Sequence, residues 1–255
     1  MGRWLGVDPF LSKYPSVSPF VFSLNTPIGA YGSDGKRVYF VAGNDQDYWN
    51  YKNRWSGAFH PSGIKFQNLD ASHGTVGDIS FVLNFRNSMQ RKTVDGSIVR
   101  AIDDKQVQSA VNEIIEDISK NSKLEKNEQL NLAGYSYGAV LQSYVAIALT
   151  EKGYKVDNLI LVGNPTSENS ELMTKLNELK KQGKIGEIKN EAIEGDKLSN
   201  PRTNKIFHEG VKESKPKIIG GQGDDAHHFD LARPGVEADR KIVGLAQKMK
   251  KEGVK

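Results

Sequence analysis

The chain is predicted to fold as an α/β domain, a mostly parallel sheet with helices on both faces, preceded by a short Pro-rich N-terminal segment. Three observations predict it. Short apolar runs alternate with segments whose apolar residues recur at helical spacing, the order that builds strand–helix–strand units on a parallel sheet. Residues 130–149 hold an apolar strand, a glycine-flanked turn and a long apolar helix in immediate succession. The first thirty-odd residues carry Pro9, Pro15, Pro19 and Pro27 among aromatic residues and close at Ser33-Asp34-Gly35, a turn-rich texture rather than a helical one.

The elements follow in order. Residues 37–42, Arg-Val-Tyr-Phe-Val-Ala, form a compact strand bounded by Gly35 and Gly43, and residues 63–69 form a second. Residues 70–103 are long for a connector and hold one alternating stretch, 79–85; they are expected to form a lid or an extra hairpin that extends the sheet. Val107, Val111, Ile114, Ile115 and Ile118 recur at helical spacing, with Asp103 or Asp104 as N-cap. Beyond the central strand and helix, residues 157–162 read as a strand ending in Gly163-Asn164-Pro165. A helix over 167–182 is closed by Gly183. Strands at 185–193 and 217–219 and an amphipathic helix over 235–251 complete the chain.

Composition narrows the function classes. At 255 residues, with 37% hydrophobic and 26% charged, the chain buries one sizeable core. No apolar run reaches the roughly 18 residues of a membrane span. The net charge of +4 is spread over lysines that alternate with glutamates, as on solvated helix faces. No zinc-finger spacing or basic block supports nucleic-acid binding. The absence of cysteine excludes a thiol nucleophile, disulfides and thiolate metal sites. The start MGRWLGVDPF lacks the charged leader and apolar core of a signal peptide, so export, if any, is expected to depend on something else.

Gly134-Tyr135-Ser136-Tyr137-Gly138 carries the chemistry. A serine at a sharp strand-to-helix turn is held with its hydroxyl clear of the backbone, and glycines two before and two after let strand and helix approach closely. Such a hydroxyl needs a base to take its proton, a carboxylate to orient that base, and backbone donors for an oxyanion. Asp196, in Ile193-Glu194-Gly195-Asp196-Lys197-Leu198-Ser199-Asn200-Pro201, is the candidate carboxylate, with Glu194 its nearest competitor. His227 and His228 are the candidate bases; His228 is favoured because Phe229 buries that side of the loop. Asp224, Asp225, His227, His228 and Asp230 also invite a metal reading, against which stands the difficulty of bringing adjacent histidines to one ion. His60, His73 and His208 read as structural or surface residues. The backbone N–H of Tyr137 and the loop opened by Gly43 and Asn44 are the candidate oxyanion donors, while Tyr135 and Tyr137 wall an acyl pocket or pack the turn.

The order serine, acid, histidine and the loop GDxLSNP resemble lipase-like members of the α/β-hydrolase family. The run from Gly2 to Arg37 resembles the end of the core domain of RHS-repeat (YD-repeat) proteins, through Asp8, Pro9, Tyr14, Pro15, Ser16, Ser18, Pro19, Asn25, Pro27, Asp34 and Gly35. It departs at Thr26 and at Gly32-Ser33. These resemblances imply an RHS-core remnant over 1–36 and an α/β-hydrolase domain over 37–255, within which 70–103 is either a lid insertion or the extra hairpin. They further imply an effector or toxin delivered within a larger RHS protein, with an immunity protein and the RHS shell as partners. The expected activity is hydrolysis of a carboxylic ester through an acyl-enzyme, without cofactor, on a lipid substrate met at a membrane surface. Amide or peptide hydrolysis or acyl transfer by the same residues, and a non-catalytic binding module, are the alternatives; a metal-dependent nuclease is a third.

Overall fold

β1 (Lys36–Val41) alternates its side chains between two apolar faces: Val38 and Phe40 enter one core, Tyr39 and Val41 the other. Burial on both sides is why the run is almost continuously apolar, the mark of a central parallel strand. The computed structural model describes residues 36–43, 49–69, 90–92, 98–121, 124, 128–166, 168, 170–196, 199, 227–232 and 234–254. Residues 1–35 of the expected RHS-like segment, Asn44, the strand at 217–219, Asp224, Asp225, His73 and His208 lie outside the described residues, and Lys36 and Arg37 open β1.

Five strands form one parallel sheet. β1 pairs with β2 (Lys65–Asn68) on one side and with β5 (Gln129–Tyr135) on the other; β6 (Val156–Val162) and β7 (Ile185–Glu191) follow, giving the order β2-β1-β5-β6-β7. The chain leaves β1 toward β2 and later returns to β5 on the opposite side. The crevice at the carboxyl ends of β1 and β5 is therefore a topological switch point, where open α/β sheets assemble their sites.

Helices cover both faces. α1 (Trp49–Phe59) and α5 (Val236–Lys251) lie over the face that carries Val38, Phe40, Ala133, Tyr135, Ile160 and Val162. α2 (Lys105–Glu116), α3 (Tyr137–Glu151) and α4 (Glu171–Lys181) lie over the other. Residues 137–150 of α3 are all buried, which explains why its sequence is apolar around the whole circumference. Its two interrupting polar residues donate inside the core, Gln142 Nε2 to the Tyr39 carbonyl at 2.9 Å and Ser143 Oγ to the Ala139 carbonyl at 2.9 Å, while Gln142 Oε1 has no partner among the described residues. α5 instead buries Ala238, Ile242, Ala246 and Met249, one stripe at helical spacing, and exposes its lysines. Among the described residues no helix is long and apolar enough to cross a membrane.

Caps largely follow the sequence reading. Of Asp103 and Asp104, the latter is the N-cap of α2, its carboxylate accepting from Gln106 N at 3.0 Å. Ser170, not the expected 167, starts α4 as its N-cap, and Gly183 follows its end with φ of 73° as expected.

Two elements differ from expectation. Helix α1 lies where no element is predicted: in WNYKNRWSGAF only Trp55, Ala58 and Phe59 are buried among the residues whose side chains are described, so the segment shows barely one turn of apolar periodicity. Tertiary stacking supplies the rest. Trp55 lies 4.9 Å from Phe40 and 6.5 Å from Phe59, centroid to centroid. Within 70–103, β3 (Gln90–Lys92) and β4 (Ile98–Arg100) pair antiparallel as a separate two-stranded sheet, so this hairpin does not extend the main one. The alternating stretch at 79–85 lies outside the described residues.

The amino edge of the sheet is fastened by buried ions. Arg37 pairs with Asp117 at 2.8 Å and with Glu128 through two bonds of 2.8 and 3.1 Å, while Tyr39 Oη donates to Asp117 at 2.7 Å. Burial, then the bond to Asp117, raises the Tyr39 hydroxyl well above its ordinary value. Burial disfavours the Arg37 cation, but its bonds to Glu128 and Asp117 outweigh that and keep it charged.

Candidate active site

Ser136 is the single residue between the end of β5 and the start of α3, and it turns the chain at φ 54°, ψ −115°. Among the described residues it is the one non-glycine with positive φ. These angles are those of the first central residue of a type II′ turn, a position that glycine ordinarily takes. The turn is locked by neighbours: Ser136 N donates to the Val162 carbonyl at the end of β6 at 2.9 Å.

The flanking glycines are required by close approach. A Cβ on Gly134 would lie 2.1 Å from the Gly138 carbonyl oxygen, and one on Gly138 would lie 2.0 Å from the Val41 oxygen. The first turn of α3 thus sits directly against the carboxyl end of β1. The Cβ on Gly138 would also lie 2.6 Å from the Ala42 carbonyl oxygen, one residue before Gly43; Asn44 is outside the described residues.

The short helical turn His227–Phe229 delivers the base. His228 Nε2 lies 2.6 Å from Ser136 Oγ, and His228 Nδ1 lies 2.7 Å from Asp196 Oδ2. An ionised carboxylate only accepts, so Nδ1 carries the proton and Nε2 presents its lone pair to the serine hydroxyl. His228 and Asp196 are buried, whereas Ser136 is partly open.

Asp196 stands five residues beyond β7, on the carboxyl edge of the sheet, with its N–H donating to the Ile193 carbonyl at 3.0 Å. Ser199 supports it. Its hydroxyl donates to Asp196 Oδ2 at 2.5 Å and accepts from Ile193 N at 3.2 Å, so the lone proton of that hydroxyl is committed to the carboxylate. Glu194, the competing acid, is exposed.

His227 is engaged elsewhere. Its Nδ1 lies 3.1 Å from Asp230 Oδ2, and its ring packs on Gly195, where a Cβ would come within 2.6 Å of Cδ2. Gly195 has φ of 77°, so the acid loop needs glycine there for both conformation and space. Among the described residues no group of three His, Cys, Asp or Glu is placed to hold a metal; Asp224 and Asp225 lie outside them. His60 is half-buried in the helical turn after α1.

Tyr135 and Tyr137 are both buried at the turn. Two supporting residues carry no assigned role in the sequence reading. Ser199 was visible only as a polar residue three beyond the acid, and Trp55, which backs Tyr135 at 5.8 Å, belongs to the unpredicted helix.

The arrangement is a partly open hydroxyl against one imidazole nitrogen and a buried carboxylate against the other. It can perform nucleophilic attack on an electrophilic carbon. Comparisons with known protein families, curated proteins and solved structures return no match for this chain.

Proposed function

We propose that this chain is a serine hydrolase of the α/β-hydrolase type that cleaves carboxylic esters through an acyl-enzyme. The single observation that carries the proposal is Ser136, at φ 54° on a strand-to-helix turn, with its Oγ 2.6 Å from a histidine whose other nitrogen meets a buried aspartate. In this reading Ser136 Oγ bonds to the ester carbonyl carbon as His228 Nε2 takes the hydroxyl proton. The imidazolium then protonates the departing alcohol as the tetrahedral intermediate collapses, and water repeats the sequence to free the acid. Asp196 holds the ring in the right tautomer throughout.

The Tyr137 N–H, at the positive end of α3, and an N–H from the loop opened by Gly43 and Asn44 would hold the oxyanion. The chain order of Ser136, Asp196 and His228 supports the family reading. The resemblance of residues 2–37 to an RHS core, with the lipase-like acid loop, supports lipid esters as the substrate class and delivery as an effector within a longer protein. An immunity protein and the RHS shell are the partners that this implies.

The test is incubation of the purified chain with mixed bacterial lipids, followed by product identification. Release of fatty acid by the parent and not by Ser136→Ala supports the proposal. Intact lipids with both proteins would refute the lipid assignment, and release that survives Ser136→Ala would refute the nucleophile.

A further inference from the structure

The residue immediately before the nucleophile reaches across the site to the base. Tyr135 closes β5, is 1% exposed, and donates its hydroxyl proton to the backbone carbonyl of His228. Its ring also lies nearly parallel to the His228 imidazole, with centroids 5.9 Å apart and planes 18° from each other, an offset stack. Trp55 of α1 also packs near the Tyr135 ring, 5.8 Å away and tilted by 36°. Phe229 meets the imidazole edge-on at 5.6 Å. Tyr135 shares a buried cluster with Ile193, the residue that bonds to both Asp196 and Ser199, and a Cβ on Gly163, just after β6, would fall 3.2 Å from Tyr135 Cε2 and 3.0 Å from Ile193 Cδ1. Gly163, at φ 57°, thus leaves room for both side chains.

The base arrives on one helical turn, His227–Phe229, whose local bonds run from Asp230 N to the His227 carbonyl and from Ala232 N to the Phe229 carbonyl, with Arg54 Nη1 donating to the Ala232 carbonyl just beyond it at 3.1 Å. The structure assigns Tyr135 as the positioning residue that gauges the distance between imidazole and nucleophile, by tying the base's backbone to the strand that ends at Ser136. This rests on the hydrolase reading above and adds to it a residue outside the Ser136, His228 and Asp196 constellation. Its logic is geometric. Ser136 Oγ and the Tyr135 hydroxyl spring from adjacent residues of one rigid strand end, so a histidine held by its carbonyl to one is held by its Nε2 at a fixed distance from the other. A misplacement of about 1 Å at such a site costs on the order of a hundredfold in rate.

Tyr135→Phe keeps the ring and its stack and removes only the tether. With a short-chain nitrophenyl ester as probe, kcat is expected to fall about tenfold or more with KM unchanged, because the base is misplaced while substrate contacts stay as they were. In a His228→Ala background the same substitution is expected to leave the residual rate unchanged, since the group it acts through is gone. A full multiplicative loss in that background would overturn the assignment. A second readout needs no turnover: the low-field proton resonance of His228 Nδ1–H, bonded to Asp196, is expected to broaden or vanish in Tyr135→Phe. If the parent chain hydrolyses the ester while Tyr135→Phe alters neither kcat nor this resonance, the positioning role is wrong and the hydrolase reading stands. If the parent chain hydrolyses nothing yet the resonance responds, the tether is real and the hydrolase reading fails.

Discussion

Comparing Ser136→Gly with Ser136→Ala measures the strain that the turn imposes. Both variants lose the hydroxyl and its 2.6 Å bond to His228, so that loss cancels between them. They differ in the Cβ, at a residue with φ 54° and ψ −115°. Holding an L-residue in such a sparsely populated region costs about 1–3 kcal/mol. Glycine adopts it freely but loses more backbone entropy on folding, by about 0.5–1 kcal/mol. The midpoints of the two ranges predict that Ser136→Gly is more stable than Ser136→Ala by about 1 kcal/mol, the reverse of the usual order. At about 2–4 °C per kcal/mol for a chain of this size class, the glycine variant melts a few degrees higher. Parallel urea titrations and thermal scans decide it. An alanine variant as stable as the glycine one, or more so, would show that Ser136 is not held in a strained conformation.

Exchange of the two adjacent histidines gives a sharp contrast. His228→Gln is expected to lower kcat by about a thousandfold or more, whereas His227→Gln, which touches Asp230 and not Ser136, changes it by about twofold at most; a p-nitrophenyl ester assay separates them. Asp196→Asn is expected to lower kcat by about three to four orders of magnitude with the fold intact by circular dichroism, because an amide in that place favours the wrong imidazole tautomer. Gly138→Ala forces a Cβ to within 2.0 Å of the Val41 carbonyl oxygen, with backbone on both sides; destabilisation of at least about 3 kcal/mol is expected by chemical denaturation.

Much of this was legible in the sequence because local signals and tertiary demands coincided. The buried strands read as apolar runs, and α3 reads as an apolar helix because 137–150 really is enclosed on every side. Ser136 stood out because close approach leaves only glycine at 134 and 138. What escaped is tertiary in origin. α1 is specified by Trp55 and Phe59 stacking on Phe40 and Phe66, contacts that local periodicity does not encode. The choice between His227 and His228 turned on which ring the Tyr135 and Phe229 side chains enclose. Ser199 gained its role only when the loop folded its hydroxyl onto Asp196, 2.5 Å away. The hairpin at 90–100 was ambiguous because three-residue strands are too short to show a period.

The most direct test of the central claim is reaction of the full chain with a fluorophosphonate, followed by peptide mapping. An activated serine is expected to carry the phosphonyl group at Ser136 alone, with the modification lost in Ser136→Ala and strongly slowed in His228→Ala. An unmodified Ser136 in the folded parent chain, or equal labelling after removal of His228, would contradict the account.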